Sequence, residues 1–327
     1  MNTYKCIIIF PYFGKFNNYF PLFLKSCEEN SNYKWLIFSD CFNGYECPSN
    51  VCVINTTMEE IKKIAEQKLG FSICMKNPHK LCEYKPAYGY IFEEYIKGYD
   101  YWGHCDCDLI FGNLDKLLTP VLNEGYDKIF AAGHLTLYKN NFNNNRRFMN
   151  TCKGKALYRE AFSSDENYRF DEDFSENNVH SIFLESGASV YAEDLSMNVS
   201  ICSASMCRDY YDPQQRRFVK EARRKSRYYW QDGDLFEKEW INYSVMRREY
   251  LYIHLQHRKM RVKKEVLKHN TYEILPDRFR KCEKIPDTKK EMKLYCIDFP
   301  YFYWWDVFCR RCIRKIKKIR NLLCKAN

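Results

Sequence analysis

Up to Asp108 the chain alternates short apolar runs with stretches of helical character, and this rhythm constrains its fold more than any other feature. Residues 4–10, 34–39, 51–54 and 101–105 read as strands, the first of them running into Pro11. A strand covered by helices on both faces is apolar at successive positions, not alternate ones, and these runs have that character. Helices are expected over 20–27, over 57–69 and over 86–97. The second is opened by Thr56 or Thr57 with Glu59 and Glu60 in its first turn, and Gly98 is the C-cap of the third. Such an alternation predicts an α/β chain with a doubly wound, mostly parallel sheet flanked by helices. Sheets of this kind bind ligands outside the carboxyl ends of their strands.

Beyond Asp127 the pattern changes. Residues 128–137 suggest a strand pair around Gly133 and His134, and 140–145 a polar loop. Short strands are expected at 189–191 and 198–203. Asp232-Gly233 is a hairpin signal between 228–231 and 235–236. A strand over 250–255 runs into His254, Gln256, His257, Arg258, Lys259 and Met260. After Lys264 the chain reads as charged and irregular until an aromatic cluster at 299–305 introduces a basic helix. The expected division is a catalytic domain over 1–265 and a C-terminal extension over 266–327.

The chemistry centres on Asp106-Cys107-Asp108, just past the strand 101–105. Alternate residues of an extended chain share a side, so both carboxylates can converge on one point. Two hard oxygen donors beyond a buried strand suit Mn²⁺ or Mg²⁺ bridging a diphosphate. His254, at a strand end, is the expected third ligand, with His257 and His134 as alternatives. Arg258 and Lys259 follow it and suit a departing diphosphate. Lys85 precedes Pro86 near a helix start, where anions are favoured, and reads either as a donor ligand or as a surface lysine. Asp40 ends the second strand, where it can meet a ribose or base or simply form a turn. Pro11 and Tyr12, with Gly14, end the first. Asp171 and Glu172 are candidates for the base that deprotonates an acceptor hydroxyl, alongside Glu185, Glu193 and Asp194.

Composition narrows the class. The formal charge of +10 suits an anionic partner, but the excess gathers in 216–227, 258–264 and 310–325, with no zinc-finger spacing or RNA-binding aromatic signature, so nucleic acid is not expected. Residues 6–10 are too short a run for a signal peptide, which makes the 17 cysteines reduced thiols in a cytosol by expectation. No run is long enough to span a bilayer. Over 304–323, Phe308, Cys312, Ile316, Ile319 and Leu323 recur at helical spacing, and Arg310, Arg311, Arg314, Lys315, Lys317, Lys318 and Arg320 fill much of the remainder. That pattern fits a helix lying on an anionic membrane surface, or one packing its stripe on the catalytic domain.

Taken together and in order, several segments resemble a bacterial family of GT-A-like glycosyltransferases that is associated with polysaccharide biosynthesis and defined as a domain of unknown function. The matching stretches are 8–15 (IIFPYFGK), 19–25 (YFPLFLK), 35–40 (WLIFSD), 80–94 (KLCEYKPAYGYIFEE), 101–112 (YWGHCDCDLIFG), 133–138 (GHLTLY), 170–172 (FDE) and 254–260 (HLQHRKM). Glu83 fills the acidic position of the fourth, and 140–150 diverges, where acceptor choice is expected to lie. The resemblance implies a GT-A fold, a nucleotide-sugar donor and a surface-glycan product. The expectation is therefore a metal-dependent hexosyltransferase moving a sugar from a nucleotide-sugar, a UDP-sugar first, to a saccharide or lipid-linked acceptor at the inner face of the cell membrane. A nucleotidyltransferase is one alternative, although no glycine-rich entry loop follows the first strand. A non-catalytic glycan- or nucleic-acid-binding protein is another, and it leaves the carboxylate pair without a purpose.

Overall fold

A computed structural model of the chain describes residues 4–222, 224–241, 244–256, 258–288, 290–292 and 301–326. Four apolar runs form the parallel half of a seven-stranded sheet: β1 (Cys6–Pro11), β2 (Tyr33–Ser39), β3 (Val51–Asn55) and β4 (Tyr101–Cys105). The sheet continues with β6 (Lys128–Ile129), β7 (Leu135–Lys139) and β8 (Val190–Tyr191), in the order β3-β2-β1-β4-β7-β6-β8. The neighbours β3-β2-β1-β4 are parallel, and β7 joins β4 and β6 antiparallel. β1 is buried on both faces: Ile7 and Ile9 enter one core with Leu36 and Phe38, while Cys6, Ile8 and Phe10 enter the other with Trp35 and Ile37. This double burial is why the strand sequences do not alternate.

Helix α1 (Phe20–Glu28) closes one face with Phe20, Phe23 and Leu24, and α2 (Met58–Leu69) closes the other with Ile61 and Ala65. Thr57 caps α2: its side chain accepts the Glu60 N–H while the Glu60 carboxylate accepts the Thr57 N–H, and Gly70 ends the helix at φ 75°. The helix expected over 86–97 is instead a broken passage of 3-10 turns at Pro78–Lys80, Lys85–Ala87 and Glu93–Ile96 around α-helical turns at Leu81–Tyr84 and Tyr88–Ile91. Pro86 lacks the N–H that would continue a regular helix, and the turn tightens there. The loop expected over 140–145 contains a short helix, Phe142–Arg146, capped by Asn141 through the Asn144 N–H.

Two further sheets complete the body. β5 (Leu109–Phe111), β15 (Tyr252–His254) and β9 (Ser196–Asn198) form a small sheet in which β15 is antiparallel to β5 and parallel to β9. The third short strand thus ends at Asn198, where the sequence suggested a start. β10 (Asp209–Asp212) and β11 (Arg217–Lys220) pair as a hairpin. A five-stranded antiparallel sheet runs β14-β13-β12-β16-β17, built from β12 (Ser226–Gln231), β13 (Asp234–Ile241), β14 (Ser244–Glu249), β16 (Thr271–Leu275) and β17 (Arg278–Lys281). Asp232 and Gly233, both at positive φ, make its first turn as expected. The segment after Lys264 is therefore not irregular: β16 pairs with β12, and the sheet crosses the boundary expected at residue 265. The chain's last described element is α3 (Tyr301–Ala326). No described helix is long and apolar enough to cross a membrane.

Candidate functional site

The carboxyl ends of β1, β2 and β4 lie on one side of the sheet because the strands are parallel. Past β4, the Asp106 N–H donates to the His134 carbonyl at 3.0 Å, which fixes where the aspartate leaves the sheet. Asp108 is buried two residues on, and β5 follows. Antiparallel pairing sets His254 opposite Leu109. Its Nε2 lies 3.3 Å from Asp108 Oδ1 and 3.9 Å from Asp106 Oδ2. One ligand atom from each of the three side chains lies within 4.8 Å of the others.

The imidazole is held in one tautomer. Asn198 donates from Nδ2 to the Asp209 carbonyl at 3.0 Å, which settles its oxygen on the other side, and that Oδ1 sits 3.0 Å from His254 Nδ1. Gln256 donates to the same oxygen at 2.7 Å. Nδ1 then carries a proton, and Nε2 is the nitrogen presented to the aspartates. Burial disfavours the imidazolium, yet the Asp108 and Asp106 carboxylates together raise the pKa of His254 above the ordinary histidine value. Two carboxylate oxygens and an imidazole nitrogen converging this closely form a demand for positive charge, and they fit a hard divalent cation such as Mn²⁺ or Mg²⁺.

Lys85 is no surface residue. It is 6% exposed, and its Nζ donates to Asp106 Oδ1 and to the Gly133 carbonyl, each at 2.8 Å, and lies 3.1 Å from Asp171 Oδ2. Burial works against its charge, but Asp106 first, and Asp171 with it, raise its pKa well above the usual lysine value. Asp171 is buried, and burial raises its pKa against the pull of Lys85. Glu172 beside it is less buried, and desolvation and the Asp171 charge push it up to about 7. The two expected base candidates are thus unlike: Asp171 is engaged by Lys85, while Glu172 titrates near neutrality.

The loop carrying both acids is positioned by a residue whose role the sequence did not disclose. Glu83, 2% exposed, accepts the N–H groups of Tyr168, Arg169 and Phe170 at 2.6, 2.9 and 2.8 Å. Asp173 anchors the far side by accepting from Arg216 at 2.7 and 2.9 Å and from Asn178 at 2.9 Å. Gly133 is required for close approach: a Cβ there would stand 2.5 Å from Asp171 Oδ2. Asn198 was also missed, because a lone asparagine in a short strand carries no signal of its partner.

Other expected residues fall in different places. Tyr12 is half-buried beyond β1 and stacks on Phe16 at 4.4 Å, Pro11 is buried, and Asp40 is exposed just past β2, so all three lie at the same sheet edge. Arg258 corrects an expectation: it is 2% exposed, donates to the carbonyls of Ser200, Ser203 and Pro276, and lies 3.7 Å from the Tyr303 ring of α3. Those contacts occupy the guanidinium that was expected to face a diphosphate. Lys259 likewise turns to α3, pairing with Asp306 at 3.1 Å. His134 packs beside His254 with ring centres 4.6 Å apart and bonds Tyr252 through Nδ1, but among the described residues the converging set is Asp106, Asp108 and His254. His257 lies outside the described residues. Glu185 and Glu193 are exposed, and Asp194 is taken up by Ser196 and the Tyr211 N–H.

A family model described as a family of unknown function (DUF6625) matches residues 8–283. No curated protein matches. Among solved structures, galactosyltransferase LgtC in complex with donor and acceptor sugar analogs shares 10% identity over 60% of this chain and 75% of its own, at a TM-score of 0.32. The apo form of mouse xyloside xylosyltransferase 1 shares 9% over 60% of this chain and 88% of its own, at 0.36. At these identities and scores the likenesses carry no argument about what this chain does.

Proposed function

The chain belongs to the family of unknown function DUF6625, and we propose that it is a GT-A-type glycosyltransferase moving a sugar from a nucleotide-sugar, a UDP-sugar first, to a saccharide or lipid-linked glycan acceptor. The observation that carries this reading is the convergence of Asp106, Asp108 and His254 beside Lys85, Asp171 and Glu172 at the carboxyl edge of a parallel sheet. Asp106, Asp108 and His254 would hold Mn²⁺ or Mg²⁺. Such an ion, when bound, neutralises charge on a departing nucleoside diphosphate.

The chain's own groups supply the rest. Tyr12 offers a ring to the nucleobase, with Pro11 beneath and Asp40 placed for the ribose. Lys85, held cationic, fixes the Asp106 carboxylate and adds positive charge close to the leaving group. Glu172 takes the proton of the acceptor hydroxyl as its oxygen attacks the anomeric carbon. The carbon–oxygen bond to the diphosphate breaks, and the bonding pair leaves with the nucleotide. Asp171 positions Glu172 and shares Lys85 with Asp106. The setting that fits is the inner, cytoplasmic face of a bacterial cell membrane, with surface polysaccharide as the product.

Incubation with UDP-, GDP- and CMP-sugars and Mn²⁺ or Mg²⁺ tests this. Release of the free nucleotide from one donor, dependent on the cation and on Asp108, supports transfer. Release of sugar 1-phosphate instead identifies attack at the α-phosphate, the nucleotidyltransferase chemistry. Inertness towards every donor with both ions removes the reading.

A further inference from the structure

Helix α3 has two unlike faces. The inner one is fastened to the body: Tyr303 is 1% exposed and lies over Arg258, Val307 is buried, Asp306 pairs with Lys259 and Arg310, and Arg311 donates to the Cys202 carbonyl at 2.9 Å. The outer face shows Trp304, Trp305, Phe308, Ile313 and Ile316, each between 46% and 64% exposed. Both indoles pack on Phe308, Trp304 at 5.8 Å and Trp305 at 5.7 Å between ring centres, so the aromatic platform is assembled without a partner. The packed stripe is therefore Tyr303 and Val307, while Phe308 and Ile316 of the stripe read from the sequence point outward; the side chains of Ile319 and Leu323 lie outside the described residues.

Charge selects the occupant. Residues 301–326 hold eight arginines and lysines against one acid, Asp306; Arg310 and Arg311 are engaged on the inner face with it, which leaves six basic residues and no acid in the sequence over 314–325. Exposed tryptophans beside a dense cationic sequence match a bilayer interface, where indoles settle at headgroup depth and basic side chains meet anionic lipid. We propose that α3 docks the enzyme on an anionic phospholipid surface through Trp304, Trp305, Phe308, Ile313 and Ile316. The purpose, presenting the site to a lipid-linked acceptor, rests on the transfer reading, but the docking itself does not. The same residues that hold Arg258 and Lys259 fix the helix to the segment that follows His254, so a docked helix gives the site a set orientation to the bilayer.

Vesicle flotation of the full chain, without donor or metal, separates the two ideas. The parent protein should float with phosphatidylglycerol-containing vesicles at low salt, and not with pure phosphatidylcholine. Trp305→Ser with Phe308→Ser should lower partitioning about tenfold or more, with the circular dichroism spectrum and melting temperature of the parent retained. Lys317→Gln with Lys318→Gln should weaken it about fivefold per charge removed. Equal flotation of the aromatic double variant and the parent overturns the proposal, as does capture by neutral vesicles to the same extent. So does a parent that ignores anionic lipid. Donor hydrolysis is scored separately, so its failure leaves the docking result standing.

Discussion

Replacing Asp108 by asparagine keeps its shape and removes one of the two charges that converge with His254. Divalent-ion affinity by calorimetry should fall at least about tenfold, and cation-dependent transfer by about a hundredfold or more. The melting temperature without metal should hold or rise, since a buried carboxylate beside another is costly unpaired. Parent-like metal binding in both Asp106→Asn and Asp108→Asn would remove the centre of the proposed site. Glu172 makes a pH prediction. Pushed up to about 7, it works as a base only when ionised, so transfer should climb with pH through neutrality and Glu172→Gln should flatten that limb while donor binding survives. Because its folded value is raised, its contribution to stability is full below the ordinary carboxyl range and is lost as pH rises through about 7. Glu172→Gln should then raise the melting temperature at pH 8 and leave it unchanged at pH 4; an equal shift at both would refute the assignment. Asp106, Asp108 and His254 were legible because strand periodicity and strand ends are local properties. Arg258 misled for the opposite reason: proximity to His254 in sequence says nothing about the carbonyls of Ser200, Ser203 and Pro276 that surround it in space.

At the scale of elements, the loop 168–172 is held from the broken helical passage by one carboxylate, and that suggests a clean cut. Glu83→Gln keeps the volume but turns a charged acceptor of three N–H groups into an amide with an NH₂ facing them. The expected loss is about 2 kcal/mol of stability, read as a lower denaturant midpoint. Transfer should fall with it because Asp171 and Glu172 follow directly, while Mn²⁺ affinity at Asp106, Asp108 and His254 stays near the parent value. A large loss of metal affinity with an intact midpoint would show that Glu83 acts on the other site. The same elements show what pattern reading reaches. β1, β2 and β4 were readable because burial on both faces writes itself as a nearly continuous apolar run, and α2 because its capping box is complete within four residues. The passage 78–96 was not, since Pro86 divides one helical period into turns of two kinds. β16 and β17 were hidden for another reason. β17 surrounds its one buried residue, Phe279, with Arg278, Arg280 and Lys281, so it looks like charged loop, and only the pairing of β16 with β12 and of β17 with β16 organises the two strands.

For the whole molecule, that pairing decides where the chain can be cut. Ending it at residue 265 removes β16 and β17, strips β12 of one of its two hydrogen-bonded neighbours and opens the core in which Tyr272, Ile274 and Phe279 pack against Trp230 and Tyr19. A bared central strand with an apolar face is a template for aggregation, so a 1–265 chain should be recovered insoluble, with no cooperative melt. A chain ending at residue 292 keeps all five strands and should fold, but less stably than the parent, because Tyr303 no longer covers the buried Arg258 guanidinium and Lys259 loses Asp306. The loss of the ring contact alone is about 1–2 kcal/mol, a lowering of a few degrees in a protein of this size. Arg258→Met, which fills the space without the charge, should narrow the gap between the 292-residue chain and the full chain if that desolvated cation is the cause. Soluble yield and calorimetric melts of the five chains, Arg258→Met being made at both lengths, decide it: a 1–265 chain that melts cooperatively would place the structural boundary at 265 after all, and would make the five-stranded sheet an accessory to the site, not part of the body that holds it.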